Sequence, residues 1–113
     1  MDSSLARTPE PPYTAVVFTS TRTDGDHGYA HMADRLDDLA RRQPGYLGHE
    51  SARGADLSIT VSYWLDHAAA AAWKQVAEHL VAQERGRETW YADYTVRIAT
   101  VERDYTKGSS TDG

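Results

Sequence analysis

Residues 57–83 read LSITVSYWLDHAAAAAWKQVAEHLVAQ, and a change of period inside this stretch decides the fold. Leu57, Ile59, Val61 and Tyr63 alternate with Ser58, Thr60, Ser62 and Trp64, the two-residue repeat of a β-strand. Past Asp66 the repeat lengthens. After an alanine run at 68–72, Ala69, Trp73, Val76, Ala77 and Leu80 recur at three and four, which keeps side chains on one helical face. Asp66 stands at the junction, where its carboxylate can accept from the free amides of the first turn. The stretch is therefore a strand that runs directly into a helix ending near Gln83.

Working outward, Gly54-Ala-Asp56 can turn the chain, and Tyr46–Arg53 alternates weakly, so 46–65 makes a hairpin. Before it, Tyr29, Met32, Ala33, Leu36, Leu39 and Ala40 form an amphipathic helix over about 27–43, opened by Asp24-Gly25-Asp26 and stopped by Pro44-Gly45. Tyr13–Arg22 is rich in β-branched and aromatic residues, and Tyr91–Tyr105 again shows strand period. The order is β-α-β-β-α-β. It predicts an α+β, ferredoxin-like arrangement, a four-stranded antiparallel sheet with two helices on one face. Apolar residues on both sides of strands one, three and four predict that a second copy covers the other face, giving a homodimer. Residues 13–105 form the single domain; 1–12, ending Pro9-Glu10-Pro11-Pro12, are a flexible arm, and 106–113 a disordered tail.

Composition narrows the function. A chain of 113 residues with formal charge -5, its 12 Lys and Arg interspersed with 17 acids, lacks the clustered basic face a nucleic-acid partner needs. The absence of cysteine excludes disulfides and thiolate catalysis and makes the cytoplasm the default location. No window approaches the ~18 apolar residues of a membrane span. His27, His31, His49 and His67 show no metal-ligand spacing, and there is no phosphate loop or nucleophile elbow.

The candidate residues gather on the second helix. At about 100° per residue, His79 falls on the flank of the Trp73 stripe, beside Ala72 and Gln83. The short side chains of Ala68 and Ala72 on that edge leave room for a chamber with the His79 imidazole at its rim, able to act as base, donor or ligand. Trp73 and Val76 are expected to pack as core while bordering the substrate. Trp64 ends a strand, under the pocket or at the dimer seam. Trp90, Tyr91 and Tyr94 cluster where rings can roof a pocket or staple a connection, and Arg97 pairs with an acid or meets an anionic substrate.

Several segments together carry a family resemblance. Gln43-Pro-Gly-Tyr-Leu-Gly48, Ile59-Thr-Val-Ser-Tyr-Trp64, the step from Trp64 to Trp73, Glu78-His79-Leu80, Gly86-Arg-Glu-Thr-Trp-Tyr-Ala-Asp-Tyr94 and Val101-Glu-Arg-Asp-Tyr105 resemble the antibiotic biosynthesis monooxygenase (ABM) family of dimeric α/β barrels. The resemblance implies a homodimer with a pocket in each subunit between the sheet and its own helices. It also implies one of several activities: oxygenation of polyketide aromatic rings without metal or flavin, haem degradation, or none assigned. In haem-degrading relatives the axial histidine lies about one turn beyond His79, a place held here by Gln83. Three readings follow: a cofactor-independent monooxygenase-like enzyme using His79 and Gln83 on an electron-rich substrate, a haem protein with His79 as axial ligand, and a non-catalytic dimer binding a hydrophobic metabolite.

Overall fold

The computed structural model describes residues 5–26, 28–83 and 90–108, the side chain of Gln83 excepted. Its elements are β1 (Tyr13–Arg22), α1 (Tyr29–Arg41), β2 (Tyr46–Arg53), β3 (Leu57–Trp64), α2 (His67–Gln83) and β4 (Tyr91–Val101). The sheet order is β2-β3-β1-β4, and every neighbouring pair is antiparallel. This is the ferredoxin-like α+β fold that the order of periods implied.

Local chemistry sets the element ends. Asp66 Oδ1 accepts the Ala69 amide at 2.8 Å, the expected cap of α2. At α1 the carboxylate of Asp26 accepts from Gly28 and Ala30 at 3.0 and 3.2 Å. The Pro44-Gly45 turn closes against the start of α2. Gly45 has φ 84, and a Cβ there would lie 2.6 Å from the Ala69 Cβ. Only glycine lets the turn come this close.

One core cluster joins the layers: Val16 of β1, Ala40 of α1, Trp64 of β3 and Ala70 of α2. A second, Met32, Leu80 and Trp90, locks α1 to α2 near the start of β4. Both helices therefore cover the face that carries Val16, Phe18, Thr60, Ser62 and Val96. The opposite face is partly covered by the arm before β1. There Ala6 donates its amide to Glu50 Oε2 at 2.9 Å, and Thr8 donates to the Tyr13 hydroxyl at 2.9 Å. Tyr13 in turn donates to Asp104, and Tyr63 donates to Glu50 Oε1 at 2.7 Å. Burial and the neighbouring carboxylate push the Tyr63 phenol well above the usual tyrosine range. Farther along this face Leu57 and Ile59 stay exposed, beside half-buried Val17 and Val61. Among the described residues no helix is long and apolar enough to cross a membrane.

Candidate active site

A bulge in β2 builds the site. Tyr46 pairs with Trp64 and Gly48 with Tyr63, so two steps on β2 match one on β3. Strict alternation would send Tyr46 and His49 to opposite faces; the extra residue, Leu47, puts both on the helix-covered face. Gly48 takes φ 152 at this point, and a Cβ there would stand 3.0 Å from the Ala6 Cβ. The Tyr46 hydroxyl then lies 2.6 Å from His49 Nδ1. Asp37 of α1 reaches the same ring from the other side, its Oδ1 3.7 Å from Nε2. Burial pushes the Tyr46 phenol up, against the opposing charge of Arg41, so it remains protonated at neutral pH.

His49 forms part of the wall of a cavity of about 180 Å³ between the sheet and the two helices. Most of the wall is apolar: Val16, Phe18 and Val96 from the sheet, Met32 and Leu36 from α1, Val81 from α2. Trp73 closes one side, stacked on the fully buried Trp64 with ring centroids 5.7 Å apart. Tyr29, Tyr91 and Tyr94 line the other end, with Tyr29 and Tyr91 edge to face at 6.0 Å. Burial pushes the Tyr91 phenol well above the usual tyrosine range, keeping it a hydrogen-bond donor. Asp37, Arg53, Lys74 and Glu78 supply charge, and Lys74 and Glu78 pair at 3.8 Å on one face of α2. Among the described residues no group of three or more His, Asp or Glu side chains converges as for a metal ion.

The chamber is present, but its position differs from the one expected from the alanine run. Ala68 and Ala72 are exposed, and so is His79, which does not line the cavity. The reason is the phase of α2. Fully buried Ala70, together with Trp73, Ala77 and Val81, faces the sheet and α1. At about 100° per residue the centre of that arc lies roughly half a turn from His79. The imidazole expected at the rim therefore points away from it. Val76 is half-buried outside the cavity wall, and the side chain of Gln83 lies outside the described residues. His79 does not line this cavity, so it cannot hold a haem there.

Of the aromatic candidates, Trp73, Tyr91 and Tyr94 line the cavity. Trp64 lies beneath Trp73 rather than in the wall, its indole N–H donating to Ser62 Oγ at 2.8 Å. Trp90 is core, 3% exposed against Met32 and Leu80. Arg97 pairs in register with Val17 on the face away from the helices, so it cannot reach the cavity. His49, Asp37, Tyr46 and Arg53 were not singled out as site residues. The signal for the three on β2 lies in Pro44-Gly-Tyr-Leu-Gly48, where a second glycine two residues into a strand marks a bulge; Asp37, on α1, carries no such mark.

An antiparallel sheet under two helices is a fold this chain shares with solved structures that include putative antibiotic biosynthesis monooxygenases of Nitrosomonas europaea and Chloroflexus aurantiacus, so its fold is ABM-like. It belongs to one family with the uncharacterised protein YqjZ of Bacillus subtilis, to which it is 50% identical over 100 residues, 88% of each chain. No family model matches the sequence. Among solved structures, PA3566 of Pseudomonas aeruginosa is 21% identical with a TM-score of 0.63, covering 86% of this chain and 99% of that one. SnoaB of Streptomyces nogalater, a cofactor-independent oxygenase, is 16% identical with a TM-score of 0.63, covering 85% of this chain and 97% of its own.

Proposed function

We propose that this protein is a small cytoplasmic oxygenase that uses no metal or organic cofactor and acts on an electron-rich aromatic or polyketide-like substrate in the chamber. His49 is its base. The observation that supports this reading is the His49 imidazole in a mostly apolar wall, with the Tyr46 hydroxyl at Nδ1 and Asp37 beside Nε2. Tyr46 serves either tautomer, donating to a bare Nδ1 or accepting from Nδ1–H. Once His49 takes a proton, the Tyr46 oxygen can accept from Nδ1–H, and the Asp37 carboxylate 3.7 Å from Nε2 offsets the new charge.

The substrate class is a compound with an acidic CH2 group between aromatic rings or carbonyls. His49 removes one proton, and the carbanion reduces dioxygen, first by one electron and then by joining it through a new C–O bond. The imidazolium protonates the peroxide anion. His49 then takes the second C–H proton, the O–O bond breaks, and the departing hydroxide accepts that proton as water. The balance is CH2 plus O2 giving C=O plus H2O, with His49 neutral again. Tyr91 donates to the enolate oxygen as charge develops there, and the apolar wall keeps water from the carbanion. The exposed Leu57 and Ile59 on the helix-free face support a homodimer formed through that face.

The test is oxygen uptake by the purified protein with a panel of anthrones, followed with 18O2. The expected product gains one labelled oxygen and loses two hydrogens, and His49→Gln slows uptake by about 10²–10⁴-fold. Saturable binding of the same compounds without oxygen uptake supports a non-catalytic binding module instead.

A further inference from the structure

We infer that the substrate carries a carboxylate, held at the Arg53 end of the chamber. This rests on the chamber being the substrate site, as proposed above, and does not depend on the oxygen chemistry. The first support is a charge count of the wall. Lys74 is paired with Glu78 and His49 faces Asp37. Arg53 is left over, since among the described residues no carboxylate lies within salt-bridge distance of its guanidinium.

The second support is the sheet register. Arg53 pairs with Ser58, Ser58 shares its row with Ser20, and Ser20 pairs with Tyr94, so four polar residues cross the helix-covered face in one line. Ser20 is 2% exposed, and its hydroxyl has no hydrogen-bond partner among the described residues. Ser20 and Ser58 do not line the chamber, so within this row the groups that face an incoming oxygen are the Arg53 guanidinium and the Tyr94 phenol. The third support is the aromatic end wall. The guanidinium of Arg22 lies 3.5 Å from the Tyr29 ring centroid and that of Arg53 5.9 Å from it. Arg22 is held in place by the carbonyls of Trp90 and Gly25 at 3.1 and 3.3 Å, whereas Arg53 is exposed at the mouth. A flat carboxylate beside Tyr29 would meet the planar Arg53 fork in the geometry that guanidinium and carboxylate share.

The experiment measures binding alone, by quenching of tryptophan fluorescence and by calorimetry, with 2-naphthoate and its methyl ester as probes. The acid should bind about tenfold or more tightly than the ester, the worth of one charge-assisted hydrogen-bonded contact. Arg53→Met should abolish the preference, and Arg53→Lys should keep part of it. His79→Gln, outside the chamber, should leave the preference intact. Equal binding of acid and ester, no binding of either, or a preference that survives Arg53→Met overturns the inference. Loss of oxygen uptake with the preference retained would instead count against the oxygenase reading alone.

Discussion

Replacing Gly45 with alanine tests whether the turn before β2 is held by close contact with α2, the contact that sets where Tyr46 and His49 begin. Gly28 is a natural control. Gly45 and Gly28 have nearly the same backbone, φ 84 and φ 85, but a Cβ at Gly28 meets nothing within 4 Å, while at Gly45 it meets the Ala69 Cβ at 2.6 Å and the Leu65 Cβ at 3.4 Å. The left-handed conformation costs an L-residue about 1–2 kcal/mol at either position. At Gly45 overpacking adds about 1–3 kcal/mol, because the opposing atom is the root of a helical side chain and cannot swing aside. Gly28→Ala should therefore lose about 1–2 kcal/mol and Gly45→Ala about 2–5 kcal/mol. Urea unfolding followed by tryptophan fluorescence measures both, since Trp64 and Trp90 are buried. Ala69→Gly removes the opposing atom at a cost of about 1 kcal/mol, and the double variant should recover most of the packing loss. Equal losses at the two glycines, or no coupling between positions 45 and 69, would refute the contact.

Three further outcomes follow from the same structure. Asp66→Ala should cost about 1 kcal/mol in the same assay, because the Ala69 amide loses its acceptor. Tyr63 has a folded pKa raised above its unfolded value, so its contribution is complete below about pH 10 and is lost as pH rises further. Stability should fall above that pH, less steeply in Tyr63→Phe, as alkaline denaturation series would show. The helix-free face should pair two chains, so light scattering should give a dimer mass, and Ile59→Asp should yield a folded monomer.

The order of elements was legible because each boundary has its own chemical mark: the period change at Asp66, the stop at Pro44-Gly45, the hairpin at Gly54. Capping by Asp66 and the α1 stripe could be read for the same reason, since both depend on near neighbours in sequence. The phase of α2 could not. Its alanines are equally at home in water or in a core, and Ala70 is fully buried while Ala68 and Ala72 are exposed. What decides among them is the Trp64–Trp73 stack, a contact between elements that no spacing within the helix encodes. Placing His79 at the rim followed from that missing contact. His49 was hidden differently, because one bulged residue inverts the face of everything beyond it. Arg53 and Arg97 show the result: the arginine that reaches the chamber is on β2, and the one on β4 faces away.

The two imidazoles can be set against each other in one experiment. With an anthrone that the wild-type protein oxidises, initial rates of oxygen uptake would be compared for His49→Gln and His79→Gln at matched melting temperature. If His49 is the base, the first variant loses about a hundredfold or more and the second keeps wild-type rates. A full rate in His49→Gln, or a collapse in His79→Gln alone, would contradict the assignment of the chamber's chemistry to Tyr46, His49 and Asp37.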